Sequence, residues 1–141
     1  MSITGTKVVI DTNVFITIIG RKSPNRWIFD KIISGEFHLC VSNDILWEYE
    51  EILAQKANEQ VARNVIDFLL ISPFVHKADI FYNWHLISAD PDDDKFIDCY
   101  ISSDSILLVS NDQHFDKIRN IDFPKINLHS LKEFELEFKE K

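Results

Sequence analysis

The sequence predicts an α/β fold in three layers, with a central, mainly parallel sheet between two layers of helices. Short apolar runs of strand length alternate along the chain with longer segments whose apolar residues recur at helical spacing. Strands separated by helices pair in parallel, and such crossover helices cover both faces of a sheet. The chain has 141 residues, of which 45% are hydrophobic and 27% are charged, and these values are typical of one folded domain. We therefore expect a single domain over residues 1–141.

The first half of the chain predicts two strands and four helices. Each strand is a short apolar run, and each helix carries an apolar stripe. Gly35 marks the end of the second helix, and Ser42 is a favourable N-cap for the third. In chain order, the predicted elements are a strand at 7–10, a short helix at 14–19, a helix at 25–33, a strand at 37–41, a helix beginning at Ser42 and a helix at about 61–70.

The second half of the chain continues the alternation with weaker signals. Residues 74–76 fit a short extended piece, and residues 79–89 fit a helix or a loop better than a central strand. Asp90 and Pro91 begin a helix that reaches about Ser103, because aspartate is a favoured N-cap and proline a favoured first helical residue. A strand at 106–109, a short helix after Asp112, a strand at 126–128 and a helix at about 131–138 complete the prediction.

The net charge of −8 argues against a protein that holds nucleic acid through a broadly positive surface. This objection weakens where carboxylates converge on a divalent cation, because the ion reverses the local charge and can itself meet a phosphate. No apolar run approaches the roughly 18 residues of a membrane span, and the N-terminus lacks the apolar core of a signal peptide. We therefore expect a soluble, cytoplasmic protein without membrane contact, in which Cys40 and Cys99 are buried free thiols.

Two acidic residues follow predicted strands. Asp11 ends the first strand, and Asp112 closely follows the strand at 106–109. Ligands of open α/β sheets gather at the carboxyl ends of the strands. Both side chains are therefore expected in the same crevice.

Two further acidic residues are placed by helical angle. At about 100° per residue, Glu48 lies only about 40° outside the apolar stripe of its helix, on the side of the core. In the helix after Asp90, Asp93 falls within the apolar stripe, Asp94 at its margin and Asp98 on the outer side. Asp93 also lies in the first turn, where the helix dipole favours the ionised carboxylate that a metal ligand requires.

Each acid also has an ordinary structural interpretation. Asp11, Asp90 and Asp112 fit helix caps, Asp93 complements the helix dipole, and Glu48 fits a solvated helix surface. Four such residues at one crevice favour a shared role, and carboxylate oxygens without a cysteine cluster suit Mg²⁺ or Mn²⁺ better than zinc. We therefore interpret the crevice as a candidate site for one or two of these ions.

The histidines and the basic residues carry less information. Arg21, Lys22 and Arg26, after the first acid, are candidates for phosphate contacts and fit an ordinary solvated surface equally well. The sequence contains no Gly-rich nucleotide-binding motif. No spacing between the histidines matches a metal motif, so we expect a core or surface role for all five: His38, His76, His85, His114 and His129.

Four segments resemble, in order, the motifs of PIN-domain nucleases, a family that includes VapC-type toxins of toxin–antitoxin pairs. The segments are VVIDTNVFI, SNDILWEYEEIL, DPDDDKFIDCYI and LLVSNDQHF, and they extend over nearly the whole chain. The resemblance implies a PIN-like fold and a metal-dependent ribonuclease. It implies catalytic and metal-binding roles for Asp11, Glu48, Asp93 and Asp112.

The resemblance also places polar side chains near the metal centre, at Asn13 and Ser42. The sequence departs from the family at Asn111, where glycine is more usual and the turn chemistry changes, and at Tyr100, where a small residue is usual and the larger ring is expected to narrow the crevice. Asp92 or Asp94 replaces Asp93 if the helix begins one residue differently.

The functional hypothesis is hydrolysis of RNA phosphodiester bonds with Mg²⁺ or Mn²⁺. The resemblance further implies a homodimer and an antitoxin that covers the crevice, with Trp27, Trp47 and Trp84 as possible contact residues. A catalytically weak PIN scaffold that binds protein or RNA is the alternative, favoured by the negative charge and Asn111. An acidic-site phosphatase fits less well, because Asp11 lacks the D-x-D-x-T continuation of the haloacid-dehalogenase type.

Overall fold

A computed structural model describes residues 5–86 and 93–139 of the chain. Its centre is a five-stranded sheet in the order β3-β2-β1-β4-β5, in which every neighbouring pair is parallel. The sheet is flanked by helices, and the predicted three-layer α/β/α fold is confirmed. The strands are β1 (Thr6–Ile10), β2 (Phe37–Val41), β3 (Val75–Lys77), β4 (Leu107–Val109) and β5 (Leu128–His129).

The helices join the parallel strands, as crossover connections must. Local sequence signals set several of their ends: Ser42 caps α3 through its hydroxyl, Gly35 ends α2 in the left-handed conformation at φ 89°, and Ser130 forms a capping box with Glu133. The helices are α1 (Thr12–Ile18), α2 (Arg26–Ser34), α3 (Asn43–Lys56), α4 (Glu59–Ile71), α5 (Asp94–Ser102) and α6 (Leu131–Phe138), with a 3₁₀ helix over Gln113–Asn120.

The core is built from the central strands and the aromatic side chains that cover them. Val8, Val9 and Ile10 of β1 are fully buried, as expected for the middle strand of a parallel sheet covered on both faces. Phe15 of α1 stacks on Tyr49 of α3, with ring centroids 3.9 Å apart. Cys40 and Cys99 are buried and free, as predicted.

The predicted elements are observed, with shifts at several ends. The last strand lies at Leu128–His129 rather than at 126–128, and α4 begins two residues before the predicted position. Residues 79–86 contain neither helix nor strand, so the loop interpretation holds for that part. The predicted helix start at Asp90 lies outside the described residues. Within the described ranges, no helix has the length and apolar character needed to cross a membrane.

Candidate metal centre

The sheet brings the ends of β1 and β4 together. Ile10 and Val109 are paired in register, and the backbone N–H of Asp11 donates to the carbonyl of Val109 at 3.0 Å. The order in which strands are added to the sheet changes direction between β1 and β4, because β2 and β3 lie on one side of β1 whereas β4 and β5 lie on the other. The crevice beyond such a switch point is where open α/β sheets bind ligands, and both Asp11 and Asp112 follow strands that end there.

Asp11 is the most buried acid of the group. It is 3% exposed and caps α1 by accepting the N–H of Asn13 at 3.2 Å. Its second carboxylate oxygen accepts the Ser110 hydroxyl at 2.6 Å. Burial raises the pKa of Asp11, the charges of Asp112 and Glu48 raise it further, and the two hydrogen bonds only partly oppose this. The hydrogen bonds that the protein supplies therefore do not offset the cost of burying the ionised Asp11 carboxylate.

Ser110 links Asp11 to Asp112. Its hydroxyl donates to Asp11 and accepts the backbone N–H of Asp112 at 3.0 Å, and the residue is 3% exposed. Asp112 in turn caps the 3₁₀ helix by accepting the N–H of His114 at 2.9 Å. The predicted capping roles of Asp11 and Asp112 thus coexist with a shared position at the crevice.

His114 joins this chain of contacts to Asp93. Its Nδ1 lies 3.3 Å from a carboxylate oxygen of Asp93 and 3.5 Å from one of Asp112. Asp93 occupies the position before α5, with 14% of its side chain exposed. The crossing of α5 over β1 and β4 therefore carries Asp93 to the residues that follow β4.

Glu48 approaches from α3 and is held on both oxygens. The Thr12 hydroxyl donates to one oxygen, and Lys95 Nζ lies 2.9 Å from the other. Thr12 is the residue after Asp11, so this bond brings Glu48 beside the end of β1. The predicted inward position of Glu48 is therefore observed, with 28% of its side chain still exposed.

The donor set fits a divalent cation. Asp93, Asp112 and His114 each offer one ligand atom, and these atoms lie within 4.8 Å of one another. Opposite ligands of an octahedral ion at about 2.1 Å are separated by about 4.2 Å, so these atoms are close enough to share one ion after small adjustments. Asp11 and Glu48 add two further carboxylates, and the charge of Glu48 is near enough to raise the pKa of Asp11. The carboxylate oxygens among these donors suit Mg²⁺ and Mn²⁺.

The two other acids of α5 lie elsewhere. Asp94 faces His85, with 3.9 Å between its carboxylate and Nδ1, whereas Asp93 faces His114. Asp98 was expected on the outer side of the helix, and this expectation is wrong. Asp98 is 4% exposed, because residues of the 79–86 loop cover it and the backbone N–H of Trp84 donates to it at 3.0 Å. Asp92 lies outside the described residues.

The three predicted supporting residues Asn13, Ser42 and Asn111 contribute to local chain geometry. Asn13 has an exposed side chain, and its backbone N–H caps Asp11. Ser42 is 4% exposed and caps α3, the helix that carries Glu48. Asn111 accepts the backbone N–H of Leu131 at 2.8 Å and so fixes the start of α6.

The two departures from the family pattern do not disturb the crevice. Among the residues described, the non-glycine positions with positive φ are His85 and Asp104, so Asn111 occupies a conformation that needs no glycine. Tyr100 does not narrow the crevice as expected, because it lies two turns along α5. There its hydroxyl accepts the N–H of Asn127 at 3.1 Å, near the start of β4.

The basic residues after α1 differ in their environments. Arg21 and Lys22 are exposed. Arg26 instead donates to the carbonyl of Ile19, pairs with Asp30 at 3.0 Å and lies 4.9 Å from the ring centre of Phe29. These contacts favour a structural role for Arg26, whereas Arg21 and Lys22 keep their charges at the surface.

Sequence reasoning missed four residues that contact the acids: Thr12, Lys95, Ser110 and His114. All four stand inside the quoted motifs within two residues of an acid, and that proximity was the available signal. His114 follows Asp112 by two residues, the distance at which an aspartate cap turns the chain back. Its other partner, Asp93, is 21 residues away in sequence, so no local spacing could reveal the pair.

Comparison with known proteins identifies a family and a fold. A family model described as PIN domain matches residues 7–114. No curated protein sequence matches the chain. Similar solved structures include VapBC2 from Rickettsia felis bound to a DNA fragment from its promoter, with TM-score 0.60 and 16% identity over 89% of this chain and 98% of that chain.

Two further structures share the fold at similarly low identity. One is VapC20 of Mycobacterium tuberculosis, described as a toxin that cleaves the sarcin–ricin loop, with TM-score 0.58 and 13% identity over 78% of this chain and 93% of that one. The other is the PIN domain endonuclease Utp24, with TM-score 0.53 and 18% identity over 89% of this chain and 84% of that one.

Proposed function

The chain belongs to the PIN domain family, and from this membership and the geometry of its crevice we propose that it is a Mg²⁺- or Mn²⁺-dependent endoribonuclease. The metal ligands in this proposal are Asp11, Glu48, Asp93 and Asp112. The endonuclease Utp24 and the toxin VapC20, which share the fold, support hydrolysis of a phosphodiester.

One observation carries the proposal: an unbroken path of contacts joins the four acids at the sheet switch point. Glu48 contacts Thr12, which follows Asp11, and Asp11 contacts Ser110. From Ser110 the path continues through Asp112 and His114 to Asp93. Ordinary caps and surface acids have no reason to converge from β1, α3, α5 and β4 on one crevice.

The protein's contribution is to hold these oxygens in place and to leave the buried Asp11 carboxylate short of positive charge. Each oxygen of Asp11 accepts one hydrogen bond, which leaves acceptor capacity for a cation. A bound Mg²⁺ or Mn²⁺ supplies a water of lowered pKa and positive charge beside the scissile phosphate. Thr12 and Ser110 fix the orientation of Glu48 and Asp11, so few side chains need to reorganise.

Substrate contacts outside the acids come from nearby cations. Lys95 borders the crevice through its contact with Glu48, and it can reach a phosphate oxygen of an RNA strand lying across α3 and α5. Arg21 and Lys22 offer two further charges beyond the far end of α1, a helix about 10 Å long. These positive groups give a phosphate local contacts despite the net charge of −8, in which they are already counted and which disfavours RNA.

The test compares two glutamates of α3. Purified protein is assayed for cleavage of a labelled RNA with Mg²⁺, with Mn²⁺ and with EDTA, alongside Glu48→Gln and Glu51→Gln. Glu51 is exposed and one turn further along the helix. We expect metal-dependent cleavage, a loss of about 100-fold or more in Glu48→Gln, and wild-type activity in Glu51→Gln.

Cleavage that persists in EDTA, or that survives in Glu48→Gln, contradicts the proposal. RNA binding without cleavage under every metal condition favours the alternative of a PIN scaffold that acts by binding. A DNA oligonucleotide of the same sequence tests whether the activity is limited to RNA.

The role of a toxin, with an antitoxin partner and a homodimer in the cytoplasm, is part of the same proposal. The VapBC2 complex and VapC20 support the toxin role and the antitoxin partner. Trp47 is 71% exposed and precedes Glu48, so a protein that covers the acids would contact it. Growth arrest on expression, relieved by a co-expressed partner that co-purifies, tests the role, and light scattering tests the dimer. The proposal treats residues 1–141 as one domain.

A further inference from the structure

His114 is placed by Asp112 at the mouth of the crevice. The Asp112 carboxylate accepts the backbone N–H of His114 at 2.9 Å, and this turn brings the imidazole back over the acids. The ring is 45% exposed, whereas the side chains of Asp112 and Asp93 are 27% and 14% exposed. A single ring nitrogen, Nδ1, thus faces two carboxylates from the open side.

The separations fit shared coordination better than a strong ion pair. Nδ1 lies 3.3 Å from Asp93 and 3.5 Å from Asp112. A charge-assisted N–H···O bond is shorter, at about 2.7–2.9 Å. Neighbouring ligands of an octahedral ion at about 2.1 Å are separated by about 3 Å, so small rotations of these side chains suffice to place all three atoms around one cation.

We propose that His114 Nδ1 is a metal ligand beside Asp93 and Asp112, and that the site consequently prefers Mn²⁺ to Mg²⁺. This inference rests on the proposed metal-dependent function and deepens it. Mg²⁺ demands near-ideal octahedral oxygen coordination and retains its waters, whereas imidazole is a ligand of first-row transition ions, the series to which Mn²⁺ belongs. Mn²⁺ accepts both the carboxylates and the nitrogen.

The test detects the nitrogen directly. Wild-type protein is loaded with Mn²⁺ and examined by pulsed electron paramagnetic resonance for ¹⁴N coupling, and Mn²⁺ and Mg²⁺ affinities are measured by calorimetry. The variants are His114→Gln, which removes the ring, and His114→Asp, which creates an all-oxygen site. His85→Gln is the matched control, because His85 also lies beside an aspartate of α5, at 3.9 Å from Asp94.

We expect ¹⁴N coupling in the wild type and in His85→Gln, and its loss in His114→Gln. The Mn²⁺ Kd should rise by about tenfold or more in His114→Gln, with less than about a threefold change for Mg²⁺. In His114→Asp the preference for Mn²⁺ over Mg²⁺ should shrink. Absence of ¹⁴N coupling, its persistence in His114→Gln, or absence of Mn²⁺ binding overturns the inference.

The outcome is separable from that of the RNA assay. Metal-dependent RNA cleavage without ¹⁴N coupling rejects His114 as a ligand and leaves the ribonuclease proposal standing. Coupling that depends on His114 in a protein that cleaves no RNA supports the ligand and rejects the ribonuclease. Circular dichroism of each variant confirms that the exposed substitution leaves the fold intact.

Discussion

Lys95 Nζ lies 2.9 Å from Glu48 Oε1, in an ion pair that joins α5 to α3 at the edge of the acidic crevice. Only 18% of the lysine side chain is exposed. In the absence of an added cation, the lysine partly neutralises a carboxylate that we assign to metal binding. Under our metal proposal, Lys95 and the metal ion would therefore compete for the Glu48 carboxylate.

Replacing Lys95 by Met should tighten metal binding and weaken RNA binding. A partly exposed ion pair contributes at most about 1 kcal/mol, so the Mn²⁺ Kd is expected to fall by up to about fivefold. The RNA KM should rise, because a phosphate contact is lost. Calorimetry and steady-state kinetics measure the two effects.

The matched control for this change is Lys31→Met. Lys31 pairs with Glu36 at 2.7 Å, a pair between α2 and the residue before β2, at the opposite end of β1 from the acids. The control should change neither the Mn²⁺ Kd nor the RNA KM. An unchanged Mn²⁺ affinity in Lys95→Met would show that the lysine does not oppose the metal.

Asp98→Asn should stabilise the protein at neutral pH. Burial raises the pKa of Asp98 above its ordinary value of 3.8, the charge of Asp94 adds to this, and the Trp84 N–H only partly offsets it. The folded state therefore holds the proton more tightly than the unfolded state, and stability is lost as pH rises from about 4 through the folded pKa. The asparagine variant escapes this loss and keeps an oxygen for Trp84.

The measurement is thermal unfolding between pH 3 and pH 8. At pH 7 the Tm of Asp98→Asn is expected to exceed that of the wild type by about 2–4 °C, and the difference should close below about pH 4. A variant that is less stable at every pH would mean that the charged hydrogen bond to Trp84 outweighs the burial of the carboxylate.

Tyr49→Phe should destabilise the fold, including the end of β1 that positions Asp11. The Tyr49 ring is fully buried, and its hydroxyl donates to the carbonyl of Ile10, the last residue of β1. The variant keeps the stacking on Phe15 but leaves this carbonyl with one bond fewer, at a cost of about 1–2 kcal/mol.

Denaturant unfolding measures this loss. Tyr82→Phe is the control, since the same hydroxyl is removed from a side chain that is 64% exposed, and no change is expected there. Equal stability of Tyr49→Phe and the wild type would contradict the assigned hydrogen bond.

The basic residues after α1 should separate into two classes. Substituting Arg21 and Lys22 by Gln in an Asp11→Asn background should weaken RNA binding. The slope of the logarithm of the binding constant against the logarithm of the salt concentration should become shallower by about 1.4, which is about 0.7 for each phosphate contact with a single strand. Arg26→Gln should instead lower the Tm with little change in slope, because Arg26 is engaged with Ile19 and Asp30. An unchanged slope in the double variant would exclude these residues from RNA contact.

The predictability of the fold followed the strength of the local patterns. The helix that begins after Ser42 was placed well, because a side-chain cap and a long apolar stripe coincide there. Strand β5 was misplaced, because it has two residues and its position is set by pairing with β4 rather than by its own sequence. Such a short strand has almost no alternation to read.

The positions of site residues were predictable only where helical geometry or the end of a strand determines them. Glu48 faces the crevice as its helical angle indicated. The helical-angle argument failed for Asp98. It assumes that a helix has one buried face, whereas a loop also covers the opposite side of α5. His114 was assigned a core or surface role, since its contact with Asp93 exists only after α5 packs across the sheet.

Under our metal proposal, the burial of Asp11 beside Glu48 and Asp112 would link the lifetime of the protein to its ion supply. Burial of the ionised Asp11 carboxylate, together with the neighbouring charges of Asp112 and Glu48, raises its pKa and lowers the stability of the metal-free fold as the pH rises through that pKa. A cation that binds only the folded chain adds stability that grows with the logarithm of its concentration relative to Kd. Under our metal proposal, ion starvation would enlarge the unfolded fraction that proteases degrade. Intracellular abundance, as well as turnover rate, would then track divalent ion levels.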